Sequence, residues 1–244
     1  MLQEQTLTKL YAMKLNGMAE GYEEQLQQAR MGKVSFEDRF GLLVDRQWIW
    51  KEDRALRRRL NYAGLKQQAC VEDIDYRSRR GLNRAAINQL STSEWIKHHQ
   101  AVIITGPTGV SKSFLACALA HKACRDGYRA LYYYVPKLFR QIGMAHADGS
   151  LMKLLKKIAK AEVLVIDDWG ISRLQDQQCR DFLDILDDRH GSGATLITSQ
   201  FDPKDWHQTI ADPTVADAIL DRLVHNAHRI SLTGESMRRK KKRS

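Results

Sequence analysis

A short glycine-containing loop carries the clearest chemistry in the sequence. It lies between an apolar run and a segment of strong helical propensity, and it reads Gly106, Pro107, Thr108, Gly109, Val110, Ser111, Lys112, Ser113. Loops of this Walker A type bind phosphate, because their backbone N–H groups and the N-terminus of the following helix point at phosphate oxygens. Lys112 is expected to reach the β- and γ-phosphates and the Ser113 hydroxyl to bind Mg²⁺. The loop therefore predicts ATP and Mg²⁺ as ligands.

One position of this loop departs from the common pattern, which has glycine where this chain has Ser111. A side chain there places a Cβ close to a backbone that must approach phosphate, and it restricts the accessible dihedral angles. Two outcomes are open from the sequence: either a small residue is tolerated, or nucleotide binding is weakened or lost.

A pair of acids follows an apolar run 55 residues after Lys112, and these acids are Asp167 and Asp168. The run at 163–166 predicts a buried strand whose C-terminal end brings both acids beside the phosphate loop. Asp167 is then expected to hold Mg²⁺, and Asp168 to orient or deprotonate the attacking water. The structural alternative is that the two acids cap the turn after the strand.

Two further features could complete a site for phosphoryl transfer. The next apolar run ends in Ser199 and Gln200, which predicts hydroxyl and amide groups at the same edge of the sheet. Arg222 lies in a predicted helix and could meet the γ-phosphate of a neighbouring subunit. Spacing alone favours a surface ion pair for this arginine.

Positive charge is concentrated in two segments. The formal net charge is +10, of which residues 54–84 carry +6 and residues 238–243 carry +6, whereas residues 101–237 are neutral. Such clustering is typical of proteins that bind polyanions, because each neutralised phosphate releases counterions. Nucleic acid is therefore the first partner to expect; the tail shows no amphipathic helix that would favour a membrane surface. Within residues 54–84, which we call the basic stripe, the candidate phosphate contacts are Arg57, Arg58, Arg59, Arg77, Arg79, Arg80 and Arg84, with a solvated surface as the alternative.

The apolar pattern predicts a helical segment followed by an α/β domain. Apolar residues recur at helical spacing from Leu7 to Leu26, which predicts an amphipathic helix, and Ser35 predicts the start of a second helix. Apolar runs at 101, 130, 163, 194 and 228 alternate with segments long enough for a crossover helix, which predicts a parallel sheet covered on both faces. The expected domains are a helical N-terminal domain at 1–65, a basic linker and helix at 66–100, an ATPase domain at 101–237 and a basic tail at 238–244.

The cysteines and the first residues of the sequence indicate the cellular compartment to expect. The four cysteines form no Cys-x-x-Cys pair, and the sequence begins without an apolar stretch of signal-peptide type. No window approaches the roughly 20 apolar residues of a membrane span. These features favour a reducing cytoplasm.

Three consecutive tyrosines, Tyr132, Tyr133 and Tyr134, fall in a predicted strand. Packing within the sheet is their expected role. Stacking on bases is the alternative.

Several segments together resemble a known family over nearly the full chain. They are LNGMAEGYEEQL at 15–26, EDIDYRSRRGLNR at 72–84, GPTGVSKS at 106–113, VLVIDDWG at 163–170 and the long segment at 197–238 that starts ITSQFDPKDW. The chain resembles the IstB-like ATPases, helper proteins of bacterial insertion sequences that are related to the helicase loader DnaC within the AAA+ initiator clade. The resemblance implies an α/β AAA+ P-loop fold with a central five-stranded parallel sheet, preceded by a small helical domain. It also implies an ATP-dependent oligomer that bends duplex DNA and recruits a cognate DDE transposase.

The resemblance also implies roles for single residues. Lys112 and Ser113 match the Walker A residues, Asp167 and Asp168 the Walker B pair, Ser199 or Gln200 sensor I, Arg222 the arginine finger and Arg238 the sensor II arginine. The family's helical N-terminal region contacts DNA or transposase, which agrees with the basic stripe. Two alternatives stay open: a DnaC-like replicative helicase loader, and a DNA-binding scaffold whose nucleotide site is impaired by Ser111.

Overall fold

The computed structural model describes residues 2–28, 33–77, 80–210 and 212–237. Arg79, Arg238 and the basic tail therefore lie outside the described residues. The chain divides into two compact units, Met1–Arg58 and Arg59–Ser244. This division falls inside a helix, whereas the sequence led us to expect a boundary after residue 65.

The N-terminal unit is helical, but its first predicted helix is two helices. Helix α1 spans Leu2–Ala12 and helix α2 spans Asn16–Gln27. Lys14 adopts a φ of +59° between them, and the N–H of Leu15 donates to the carbonyl of Leu10, which is the hydrogen bond of a Schellman motif. The apolar spacing does not reveal this break, because lysine stands where a helix usually ends in glycine.

Helix α3 spans Phe36–Ala63 and begins where the sequence predicted. The Ser35 hydroxyl accepts the N–H of Asp38 at 3.1 Å, which is the hydrogen bond of an N-cap. Helix α2 packs closely on α3 at Gly17, where a Cβ would lie 2.6 Å from the Cβ of Trp50. Packing therefore requires a glycine that helical propensity disfavours.

The second unit contains a parallel sheet flanked by helices, as the sequence predicted. Within the described residues its order is β2-β3-β4-β1-β5, and every neighbouring pair is parallel. The C-terminal ends of β1, β3 and β4 therefore meet at one edge, where open α/β sheets bind their ligands. The strands are β1 Ala101–Thr105, β2 Ala130–Tyr134, β3 Val163–Trp169, β4 Ala194–Ser199 and β5 Ala227–Ser231.

Helices precede the sheet and connect its strands. Between β2 and β3 the chain forms two helices, where the spacing indicated one crossover helix. Among the described residues, no helix combines the length and apolar character needed to cross a bilayer. The helices of this unit are α4 Arg84–Leu90, α5 Glu94–Lys97, α6 Lys112–Arg125, α7 Val135–Asp148, α8 Leu151–Ala159, α9 Asp176–Arg189 and α10 Pro213–Val224, with 3₁₀ helices at Val71–Asp73 and Pro203–Thr209.

Both faces of the sheet are buried. Alternate strand residues, such as Ile103 and Ile166, belong to one apolar cluster with residues of α7, α9 and α10. The intervening residues, such as Val102 and Val165, are also fully buried and point to the opposite face, against which α6 packs. Burial on both faces explains why the strands read as continuous apolar runs.

Arg189 holds together the edge of the sheet that lies opposite the phosphate loop. Only 2% of this residue is exposed, and its guanidinium donates to the carbonyls of Ala161 and Ala194, each at 2.6 Å. Burial lowers the pKa of Arg189 to about 10, so the side chain stays charged at neutral pH. These bonds tie the segment after α8 to the start of β4.

Candidate active site

The phosphate loop lies where β1 ends and α6 begins, as the sequence predicted. Lys112 is the first residue of α6, and its Nζ donates to the carbonyls of Gly106 at 2.7 Å and Pro107 at 3.0 Å. Burial lowers the pKa of Lys112, and the nearby carboxylates of Asp168 and Asp167 partly oppose this effect. The ammonium group is thus held inside the loop by two carbonyls, which phosphate oxygens could replace.

Two segments remote in sequence hold the loop in place. Arg80 is 3% exposed, and its Nη1 donates to the carbonyl of Val110 at 3.1 Å. From the C-terminal side, the N–H of Met237 donates to the carbonyl of Gly109 at 2.9 Å. Gly109 has a φ of +91°, and a Cβ there would lie 2.2 Å from Oγ of Ser236. The conformation of the loop therefore depends on a glycine and on both segments.

The candidate arginines of the basic stripe fall into two groups: some donate hydrogen bonds to backbone carbonyls of the protein, and others are exposed to solvent. Arg80 is not available for the predicted DNA contact, because its guanidinium is buried and also donates to the carbonyl of Asp75 at 2.8 Å. Arg59 is partly buried, and its Nε donates to the carbonyl of Cys124 at 2.7 Å, near the end of α6. Among the candidate contacts that the structure describes, the exposed ones are Arg57, Arg58, Arg77 and Arg84.

Asp167, near the end of β3, is a fully buried carboxylate on which several elements converge. Its Oδ1 accepts from the Ser113 hydroxyl at 2.8 Å and from the Thr198 hydroxyl at 2.6 Å. Its Oδ2 accepts from the Tyr132 hydroxyl and lies 3.2 Å from Nζ of Lys66. Residues of α6, β4, β2 and the segment after α3 thus meet at one side chain.

These contacts keep Asp167 ionised. Burial alone would raise the pKa of this carboxyl, but hydrogen bonds from Thr198, Tyr132 and Ser113, with the charge of Lys66, lower it below its usual value. A depressed pKa means that the charged form stabilises the fold above the ordinary carboxyl pKa of about 3.9. This contribution is lost as the pH falls through the lower pKa of the folded state.

The donor set at Asp167 fits a magnesium ion. The Ser113 hydroxyl and the Asp167 carboxylate are oxygen ligands of the kind that Mg²⁺ prefers, and the two oxygens lie 2.8 Å apart. A cation, the Lys66 ammonium, already contacts the other carboxylate oxygen. Ser113 and Asp167 are therefore placed to hold Mg²⁺ together with phosphate oxygens.

Asp168 is directed differently from Asp167 by an irregularity in the strand. The pairing of β3 with β4 shifts register between Ile166 and Trp169, and Asp168 has a φ of +62°. Its N–H donates to the Thr198 hydroxyl at 2.9 Å, and the residue is partly exposed. Backbone strain of this kind clusters at functional sites. The arrangement leaves Asp168 accessible to water, as its expected role requires.

Thr198, and not Ser199, is the β4 residue that contacts the two acids. Ser199 is fully buried; its hydroxyl donates to the carbonyl of Trp169 at 2.9 Å and accepts the N–H of Phe201 at 3.1 Å. Because side chains alternate along a strand, the neighbouring threonine points to the other side. A hydroxyl residue within an apolar run was the signal that could have identified Thr198. Gln200 is exposed.

Tyr132 and Lys66 also reach the site, and sequence reasoning missed both roles. Tyr132 was expected to pack in the sheet, yet its hydroxyl bonds Asp167. Lys66 belongs to the basic stripe but was not among the candidate contacts. Neither residue has a spacing that would have singled it out.

Arg222 forms the ion pair that its spacing favoured. Its Nε donates to the Asp187 carboxylate and its Nη1 donates to the carbonyl of Ala218 at 2.8 Å, which joins α10 to α9. The residue is partly exposed. A role toward the γ-phosphate of a neighbouring subunit stays a prediction.

Ser111 adopts the conformation that glycine usually supplies at this point. It is the N-cap residue of α6, with φ +74° and ψ +29°. This left-handed conformation costs a residue with a side chain about 1 kcal/mol. The loop thus retains its turn, and the serine introduces local backbone strain.

We expect Ser111→Gly to raise the free energy of unfolding by up to about 1 kcal/mol and Ser111→Val to lower it by at least as much. Glycine relieves the strain at positive φ, whereas a β-branched residue increases it. Thermal unfolding of the nucleotide-free protein measures both effects.

Ser150→Gly is the control for this series. Ser150 is also an N-cap residue, but it has a φ of −88°, so glycine should there leave stability unchanged or lower it. Equal melting temperatures for serine, glycine and valine at position 111 would contradict the left-handed conformation.

Comparison with known proteins places this chain in a family. The family model described as IstB-like ATP binding protein matches residues 8–244. A Sinorhizobium fredii protein named as an insertion sequence ATP-binding protein, y4pL, is 48% identical over 243 residues, which cover 100% of this chain and 99% of the relative. A Mycobacterium tuberculosis protein, named as an ATP-binding protein in an insertion sequence, is 30% identical and covers 96% of this chain and 93% of its own length.

Solved structures share the fold over about two thirds of the chain. A crystal structure of DnaI has a TM-score of 0.60 and 25% identity, and the match covers 68% of this chain and 92% of DnaI. A crystal structure of the DnaC helicase loader has a TM-score of 0.58 and 21% identity, covering 67% and 96% of the two chains. The fold is therefore that of the AAA+ proteins, and the chain belongs to the IstB-like ATP-binding proteins of insertion sequences.

Proposed function

We propose that this protein hydrolyses ATP with Mg²⁺ while assembled on duplex DNA, and that it bends the DNA and recruits a transposase in the cytoplasm. The observation that carries the ATPase proposal is the buried Asp167 carboxylate, hydrogen-bonded to Ser113 and Thr198 beside the lysine of a phosphate loop. The names of the relatives, which refer to ATP binding and insertion sequences, support this assignment.

The residues of the site would contact a bound triphosphate in different ways. Lys112 would exchange its two carbonyl partners for β- and γ-phosphate oxygens, and the loop N–H groups would cradle the phosphates. Ser113 and Asp167 would hold Mg²⁺, which neutralises charge on the phosphates. Lys66 contacts Oδ2 of Asp167, whereas Ser113 lies beside Oδ1, so the lysine leaves the oxygen nearest Ser113 to the metal.

Thr198 and Asp168 are placed to act on the attacking water. The Thr198 hydroxyl donates to Asp167 and accepts from the N–H of Asp168, so it fixes both acids relative to each other. Asp168 would then accept a hydrogen bond from the water and orient it toward the γ-phosphate. Arg222 of a second subunit would supply positive charge on the opposite side after leaving Asp187.

DNA binding is proposed for the exposed candidate arginines, and for Arg79, which lies outside the described residues. Arg57 and Arg58 lie on α3, and Arg77 and Arg84 precede strand β1 in the sequence. All four residues are exposed. Contacts of these arginines with phosphates would strengthen DNA binding without depending on the base sequence.

A replicative helicase loader is the second candidate function. The fold shared with the DnaC helicase loader favours it, but that likeness shows the fold alone. Pull-down with the cognate transposase and with a hexameric helicase separates the two candidates. The impaired scaffold is the third candidate, and ATP binding by the unmodified chain decides against it.

We expect Lys112→Ala to weaken ATP binding about 100-fold and to abolish ATP-dependent assembly on DNA, because the charge-assisted contacts to phosphate are lost. Equilibrium binding of a fluorescent ATP analogue and light scattering with duplex DNA measure the two effects.

Lys153→Ala is the control variant that removes the same charge from the exposed side of α8. It should leave ATP affinity and ATP-dependent assembly on DNA unchanged. Normal assembly by Lys112→Ala would refute the role of the loop. If the unmodified chain itself binds no ATP, the scaffold function is favoured.

We expect the double variant Arg57→Ala and Arg58→Ala to weaken binding to all duplex sequences. The logarithm of the DNA-binding constant falls with the logarithm of the salt concentration, and each lost phosphate contact should make this slope less steep by about 0.9. A salt titration of fluorescence anisotropy with two unrelated duplexes measures this change.

Arg80→Ala provides the contrast, because this arginine is buried against the phosphate loop. It should lower thermal stability and ATP affinity but leave the salt slope unaltered. The DNA surface would have to lie elsewhere if the double variant kept the full slope.

A further inference from the structure

A cavity of about 590 Å³ opens beside the candidate active site, at the edge strand of the sheet. Strands β3 and β4 separate this edge strand from β1 and its phosphate loop. The cavity is lined by described residues from the end of α3 and the segment after it, from β2, from α7 and from α8, together with Asp168; no residue of the loop at 106–113 is among them. The cavity is therefore distinct from the phosphate loop, and it adjoins the active site at Lys66, Tyr132 and Asp168.

The charge of the cavity favours an anionic ligand. Lys66, Lys137 and Lys157 line it, and Asp168 is the acid among its described lining residues. A volume of this size is typical of sites for small organic ligands and exceeds what a single phosphate group fills. The ligand should therefore carry both a phosphate and a larger neutral part.

Tyr133, one of the lining residues, carries a hydroxyl that is buried and unused as a hydrogen-bond donor. Only 6% of the residue is exposed, and its hydroxyl has no hydrogen-bond partner among the described residues. Burial raises the pKa of Tyr133 to about 12, so the hydroxyl remains protonated at neutral pH. A buried hydroxyl without a partner is costly, and an acceptor atom on a ligand would satisfy it.

Two aromatic rings of the lining already attract cations. Nζ of Lys157 lies 5.7 Å from the centre of the Tyr62 ring, and Nζ of Lys66 lies 5.3 Å from that of the Tyr134 ring. Flexible lysines beside accessible tyrosine rings form the combination that binds unpaired nucleotides, in which phosphates meet the cations and bases stack on the rings.

We propose that this cavity binds one unpaired nucleotide unit, with its phosphate on the lysines, its base against a tyrosine ring and an acceptor atom on the Tyr133 hydroxyl. A base within a duplex is stacked and paired, and it could enter such a cavity only after leaving the helix. The unit therefore comes from single-stranded DNA or from a free nucleotide. The site is distinct from the exposed arginines that we assign to duplex DNA.

The cavity also connects to the proposed ATPase function. Lys66 and Tyr132 line the cavity and at the same time contact Asp167. A bound nucleotide unit that drew Lys66 away would free one carboxylate oxygen at the metal site. This coupling rests on the proposed function, whereas binding in the cavity does not.

Binding is tested with the full chain and a fluorescent oligonucleotide of deoxythymidines in the absence of ATP. Lys157→Ala should weaken binding about five- to ten-fold and lower the salt slope by about 0.7, as expected for one contact to a single strand. Lys156→Ala is the matched control, because this neighbouring lysine is exposed but does not line the cavity, and it should change affinity less than two-fold.

Tyr133→Phe distinguishes ligand binding from a purely structural role. Removal of the unpaired hydroxyl should raise the melting temperature of the free protein and weaken oligonucleotide binding about five-fold. A raised melting temperature with unchanged affinity would overturn the proposal, as would equal affinities for the two lysine variants.

Competition identifies the source of the ligand. Thymidine monophosphate that competes at a similar concentration per nucleotide supports the cavity as a site for a free nucleotide. Failure to compete, with retained sensitivity to Lys157→Ala, supports single-stranded DNA. If the unmodified chain binds no ATP but both cavity variants still lose oligonucleotide binding, the proposed function fails and the cavity assignment stands.

Discussion

The arrangement of this site depends on one buried charge. Asp167 lies near the end of strand β3 with no exposure to solvent, and a carboxylate so placed must be paired to remain ionised. Its partners come from α6, β4, β2 and the segment that follows α3. The same contacts that satisfy the charge therefore fix the phosphate-loop helix, two strands and the start of the second unit around it. The Asp167 carboxylate therefore serves both the folded structure and the proposed catalysis.

The basic stripe shows how one residue type serves different ends within a short stretch of sequence. Arg80 is buried against the phosphate loop and Arg59 bonds the carbonyl of Cys124, whereas Arg57 and Arg58 remain exposed on α3. Counting charge identifies the segment as basic, but it does not separate arginines that support the ATPase from those free to meet DNA. Burial makes that distinction for Arg80, because a guanidinium buried against carbonyl groups of the protein is not accessible to a phosphate.

The sequence predicted the strands and the phosphate loop well, because both follow from local pattern. Continuous apolar runs mark strands buried on two faces, and the loop motif is local. The details that failed depend on alternation and on long-range contact. Thr198 and Ser199 are both hydroxyl residues at a strand end, and only the phase of the strand decides which one meets Asp167. The break at Lys14 has no glycine to mark it, and the contact of Lys66 spans 101 residues of sequence.

We infer that the charge of Asp167 makes nucleotide binding depend on magnesium. The direct test is the affinity of a fluorescent ATP analogue with Mg²⁺ and with chelator, for the unmodified chain, Asp167→Asn and the exposed-helix control Asp184→Asn. We predict that Mg²⁺ strengthens binding by the unmodified chain and the control, and that Asp167→Asn binds equally with and without it. An Asp167→Asn protein that keeps the full Mg²⁺ dependence would contradict the assignment of this carboxylate.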